Sequence, residues 1–216
     1  PATIYPYSYP VFYSPETVDI SVRMVVYSGI TCVDEKIIPI MLKAVPEAAF
    51  NSIAPVCNNI SPFQITQGTE IHGLLPGTGS YSGAGINAQG IFSPSIADSG
   101  THTLTYTFLA DNGCRDSKTQ TITVYPSPTV TGGNVELLEG GQVQLPAVIT
   151  GSNLTYKWTP PIGLDRDDIA HPIASPPDDI TYTILVTSAQ GCSATAIVTV
   201  KVFQNPKIPN AFSPNK

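Results

Sequence analysis

The sequence predicts an all-β fold, built as tandem antiparallel β-sandwich modules with the first one incomplete. Three observations predict it: short runs that alternate apolar and hydroxyl-bearing residues, a threefold recurrence of such runs around cysteines, and proline clusters between them. In Thr103-Leu104-Thr105-Tyr106-Thr107-Phe108 the alternation puts apolar side chains on one face and hydroxyls on the other, as a strand with one buried face requires. The 216 residues include 21 Pro and 17 Gly, and 12% are charged, about half the roughly 25% of an average soluble domain. Such a composition excludes helical bundles and coiled coils. An apolar fraction of 42% is enough for packed cores.

Along the chain, runs 18–26 and 35–42 flank Cys32, runs 101–109 and 119–124 flank Cys114, and runs 180–187 and 194–202 flank Cys192. These three cysteines recur at nearly equal intervals, and the period suits a small sandwich. Each pair of runs predicts a closing hairpin. The signal is strongest at Asn112-Gly113, where both turn positions tolerate positive φ, and weaker at Gln190-Gly191. Earlier strands are expected at 63–66 and 136–141. Pro46, then Pro126 and Pro128, then Pro206 and Pro209 end strands and stiffen the connections. The resulting division is a C-terminal half-module at 1–46, complete modules at 47–127 and 128–204, and a linker with the first residues of a further domain at 205–216. The half-module leaves an apolar sheet face bare, so its other half is expected upstream of Pro1. Sustained helical periodicity is missing. The best candidate, 45–49, is interrupted by Pro46, and essentially no α-helix is expected.

Cys57 falls early in the second module and Cys114 in its final hairpin, and the reading pairs them in a disulfide that implies an oxidising, exported compartment. Cys32 and Cys192 are read as unpaired thiols. The partner of Cys32 would lie upstream, and Leu138 stands where a partner of Cys192 would be. The alternative is four reduced cysteines used as small apolar residues. Zinc is disfavoured because the cysteines contain no close pair and His72, His102 and His171 are scattered.

No motif with catalytic mechanics is present, so the chain reads as non-enzymatic. The glycine-rich stretch Gly77 to Gly85 matches no phosphate-binding spacing and is read as a turn-rich hairpin with Tyr81 packed inward. Trp158, Tyr106 and Tyr182 are expected in cores. Asp165, Asp167 and Asp168 could supply oxygen ligands to calcium, the one cofactor weighed, against the alternative of a solvated loop. Asn59-Ile60-Ser61 and Asn153-Leu154-Thr155 fit the glycosylation sequon. A net charge of −6 with 10 Lys plus Arg offers no basic patch for nucleic acid, and no apolar run reaches the 18 or so residues of a membrane helix.

The motifs Pro55-Val56-Cys57, Gly90-Ile91-Phe92-Ser93-Pro94 and Asp111-Asn112-Gly113-Cys114 resemble the immunoglobulin/PKD-like modules of very long surface proteins of Bacteroidota. Tyr156-Lys157-Trp158-Thr159-Pro160 and Gly191-Cys192-Ser193-Ala194-Thr195 are similar to another common version of that module. Ile208-Pro209-Asn210-Ala211-Phe212-Ser213-Pro214-Asn215 resembles the opening of the gliding motility-associated C-terminal domain, a type B sorting signal of type IX secretion. The resemblance implies the stalk of a cell-surface adhesin similar to the SprB-like gliding adhesins, anchored at the outer membrane. Its implied partners are the type IX translocon, an outer-membrane anchoring protein and an unidentified extracellular ligand. The rival expectation is a set of accessory polysaccharide- or protein-binding modules of a secreted hydrolase.

Overall fold

The computed structural model describes residues 18–29, 32–72 and 75–204. The expected linker and sorting-domain opening at 205–216 lie outside the described residues. The first elements are a hairpin, β1 (Val18–Ser28) and β2 (Cys32–Leu42). Then follow β3 (Ala48–Phe50), β4 (Val56–Cys57), β5 (Phe63–Gln64), β6 (Gly68–Glu70), β7 (Gly77–Gly83), β8 (Ile91–Phe92), the short helix α1 (Pro94–Ala97), β9 (Gly100–Ala110) and β10 (Arg115–Tyr125). The remainder holds β11 (Thr129–Thr131), β12 (Asn134–Leu138), β13 (Val143–Gln144), β14 (Val148–Thr150), β15 (Leu154–Thr159), β16 (Ile173–Ala174), β17 (Ile180–Ser188) and β18 (Ser193–Phe203).

Strand pairing repeats itself. In the first full repeat a four-stranded sheet runs β4-β10-β9-β7, accompanied by the pairs β3-β6 and β5-β8. In the second the sheet runs β12-β18-β17-β15, accompanied by β11-β14 and β13-β16. The eight strands correspond one to one. The isolated bridge Ile86↔Phe92 of the first repeat has its counterpart in Leu164↔Ala174 of the second. The pairs β1-β2, β3-β6, β5-β8, β7-β9, β9-β10, β11-β14, β13-β16, β15-β17 and β17-β18 are antiparallel, and β12 with β18 is parallel.

Each repeat closes a core of its own, because the inward residues of each four-stranded sheet meet those of the short pairs. Leu104, Tyr106, Phe108, Ile122 and Val124 pack with Ala48, Phe50, Ile65 and Phe92. Trp158, Tyr182, Ile184, Val186, Val198 and Val200 pack with Leu145, Ala147 and Ala174. The period-2 burial along β9 and β17 follows from the alternation in the sequence. Among the described residues the chain forms two compact units, one of 18–56 and 60–124, the other of Cys57–Asn59 and 125–204.

The hairpin β1–β2 shares the register of the closing hairpins. Val22 pairs with Ile38 as Leu104 pairs with Gln120 and Tyr182 with Val198, each at the same distance from its cysteine. Its inward-type residues Val22, Met24 and Val26 are nonetheless exposed, where their counterparts Leu104, Tyr106 and Phe108 in the first repeat and Tyr182, Ile184 and Val186 in the second are core.

Three expectations change. The helix-free reading gives way to one turn, Pro94–Ala97, started by a proline whose fixed φ suits the first helical position. Residues 45–49 are not helical, as Pro46 led one to expect, and Ala48 opens β3. The glycine-rich stretch is no hairpin within itself: Gly77–Gly83 forms β7 and pairs with β9. The closing turn at Asn112-Gly113 has three residues, Asp111 to Gly113, with positive φ at Gly113 (86°), the longer hairpin loop with a left-handed last residue.

Candidate functional site at the cysteine junction

Cys57, Asn58 and Asn59 meet the chain where it leaves β10. The amide of Asn58 donates to the carbonyl of Tyr125 at 2.9 Å, so β4 and its continuation end beside the last residue of β10. Ser127 N donates back to Asn58 Oδ1 at 3.1 Å. Asn59 Nδ2 then donates to the carbonyl of Ser193 at 2.9 Å, and Cys57 is bonded to Cys192 with 5.6 Å between their Cα atoms. The bond lies in the second compact unit, which includes the three residues Cys57–Asn59.

This overturns the expected Cys57–Cys114 bridge and the free thiol at Cys192. Cys57 stands beside the end of β10, whereas Cys114 stands just before its start. Eleven residues of strand at about 3.3 Å each separate the two by roughly 30 Å or more. A disulfide spans Cα atoms at most about 7 Å apart. Cys114 is a half-buried free thiol and Cys32 an exposed one. The turns holding Cys114 and Cys192 are alike: Ala110 N donates to Cys114 O at 2.9 Å and Ser188 N to Cys192 O at 2.8 Å.

Trp158 is fully buried on β15, its indole Nε1 donating to the carbonyl of Ile169 at 2.9 Å. Tyr182 is fully buried too, and its hydroxyl donates to Ile162 O at 2.6 Å. Burial pushes its phenol pKa above the usual value. Tyr106, buried in the first repeat, is raised by burial first, then by the nearby Tyr81 phenol and the Glu70 carboxylate. Its ring centroid lies 5.1 Å from that of Tyr81 and 6.2 Å from that of Phe50. The glycines of β7 make that cluster fit: a Cβ on Gly79 would run into the Tyr106 ring and hydroxyl.

The aspartates of the calcium expectation do not converge. Lys157 pairs with Asp167. Arg166 holds both oxygens of Asp168, at 2.8 and 2.9 Å, and this hydrogen bonding lowers the Asp168 pKa. Asp165 Oδ1 accepts from the amides of Arg166 and Ile173, both at 2.8 Å. The donor set therefore does not fit a calcium ion, and among the described residues no group of three or more His, Cys, Asp or Glu could hold a metal. A cavity of about 320 Å³ is lined by Gly85, Ile86, Asn87, Ile91, Ser93 and Ile96, none of them ionisable. No helix among the described residues is long and apolar enough to cross a membrane.

No family model and no curated protein matches the chain. Among solved structures it is similar to the Bacteroides ovatus glucan-utilization protein SGBP-B in complex with a mixed-linkage heptasaccharide, at 15% identity over 74% of this chain and 48% of that one, with a TM-score of 0.31. It is similar to Drosophila N-cadherin EC1-4 at 12% identity over 89% of this chain and 59% of that one, TM-score 0.33. The insect immune protein hemolin gives 13% identity over 84% and 56%, TM-score 0.39. The chain thus spans about half to three fifths of the length of these structures. At such values its architecture rests on its own strand pairing and cores.

Proposed function

We propose that the chain is a non-catalytic, load-bearing repeat segment of a large exported surface adhesin, with immunoglobulin/PKD-like modules like those of SprB-like gliding adhesins. Type IX secretion would carry it out through the sorting domain that Ile208–Asn215 opens, and an outer-membrane partner would retain it there. The observation that supports this reading is repetition with a covalent tie: two copies of one eight-strand arrangement, and a third closing hairpin in the same register, with a disulfide from Cys57 to Cys192. A cysteine pair separated by 135 residues serves a protein that must hold together outside a reducing cytoplasm.

Antibodies raised against residues 47–204 are expected to label intact cells of the source organism, and external protease to remove the label. Labelling confined to permeabilised cells would overturn the surface reading. The 216-residue chain should migrate unretarded in gels containing mixed-linkage β-glucan or xylan. Retardation would replace the spacer by a polysaccharide-binding module.

A further inference from the structure

We propose that Cys114 is one half of a second junction disulfide, whose other sulfur belongs to a cysteine on the edge strand of the repeat that β1 and β2 close. The inference rests on the repeat architecture and is independent of the export route. Cys192, at the position equivalent to Cys114, is bonded to the residue that ends the edge strand of the preceding repeat. That residue is placed by one hydrogen bond, Asn58 N to Tyr125 O, and the same bond recurs in the second repeat as Glu139 N to Phe203 O at 2.9 Å. Tyr125 and Phe203 stand at the same offset after their turn cysteines, and Lys43 stands at that offset after Cys32.

Lys43 already stands at the turn of Cys114. Its Nζ donates to Asn112 O at 3.0 Å, and Asn112 Nδ2 donates to Ala44 O at 2.9 Å. An edge strand laid along β2 as β12 lies along β18 therefore ends beside Cys114. The interval from Cys57 to Cys114, counted back from Cys32, puts the partner a short way ahead of Pro1.

Formation of the bond is thiol–disulfide exchange. The partner thiolate attacks a disulfide-bearing donor to give a mixed disulfide, and the Cys114 thiolate displaces the donor sulfur. Two thiols are oxidised, and the donor disulfide leaves as a dithiol carrying the two electrons and, after protonation, the two protons.

The natural full-length protein, alkylated with iodoacetamide in denaturant without reduction and then digested, should yield the Cys114 peptide joined to a peptide from ahead of Pro1, next to the Cys57–Cys192 pair. Alkylated Cys114, or Cys114 joined to Cys32 or to a second copy, overturns the proposal. Thiol titration in denaturant reads the same question by sign. Cys114→Ser in the full-length protein should raise the free-thiol count by one by releasing the partner, and a count lowered by one means that Cys114 was free.

Discussion

The two full repeats have the same eight strands in the same pairing but fill their cores differently. Counting from the facing strands, Tyr81 opposite Tyr106 and Trp158 opposite Ile184 occupy one position. In the second repeat a single buried indole fills it. In the first, Tyr81 is only partly buried, and the space is closed by its contacts with Phe50 and Tyr106. One topology thus tolerates a bulky ring flanked by branched residues or a cluster of three smaller rings threaded between glycines. What the two share is the register of the closing hairpin.

Trp158→Ala should break the comparison most strongly. Removing a fully buried indole costs about 3–5 kcal/mol, whereas Tyr81→Ala should cost less because its ring is already partly solvated. Urea unfolding of each variant, followed by amide exchange resolved by repeat, checks the difference, and equal losses would mean that the rings around Tyr81 do not share its load.

Next in size is the disulfide. Its chain-entropy worth for a separation of 135 residues is about 5 kcal/mol, an upper figure because the first repeat, folded inside the loop, shortens the effective chain. Cys57→Ser should therefore lower the melting temperature of the second unit, and reductant should do the same to the parent chain. Cys114→Ser should leave the isolated chain's melting temperature unchanged.

Gly79→Ala should be felt only in the first repeat. Its methyl would meet the Tyr106 ring and hydroxyl, an overpacking of about 1–3 kcal/mol that a lowered urea midpoint would report. Tyr156 stands at the matching place on β15, so a side chain there is native to the second repeat.

The smallest effect is on alkaline stability. Tyr106 and Tyr182 have folded pKa values raised above the ordinary phenol value of 10.0, so the unfolded chain gives up its phenol protons first. Their contribution is fully present below about pH 10 and is lost as pH rises beyond it. Glu70→Gln should narrow this loss in the first repeat alone, by removing one of the charges that raises Tyr106. Denaturant midpoints on either side of that pH would register it.

Much of the architecture was legible because it is written in strict alternation. The six runs around the cysteines became the six long strands, since period-2 patterning and a turn glycine are local properties. The disulfide was not legible. Its partner choice depends on which end of β10 the short strand β4 reaches, and a two-residue strand leaves no pattern that reports its direction. Nor was the role of the β7 glycines: they read as a turn because nothing local says that Tyr106, far along the chain from Gly79, needs the space.

In the second repeat the edge strand runs parallel to the last strand, in register from Asn134↔Thr199 to Leu138↔Phe203. A pull on the polypeptide at the two ends of that repeat drags β12 and β18 lengthwise past each other. The rungs between them are loaded in shear and must give way together, whereas an antiparallel hairpin pulled at its open end unzips rung by rung.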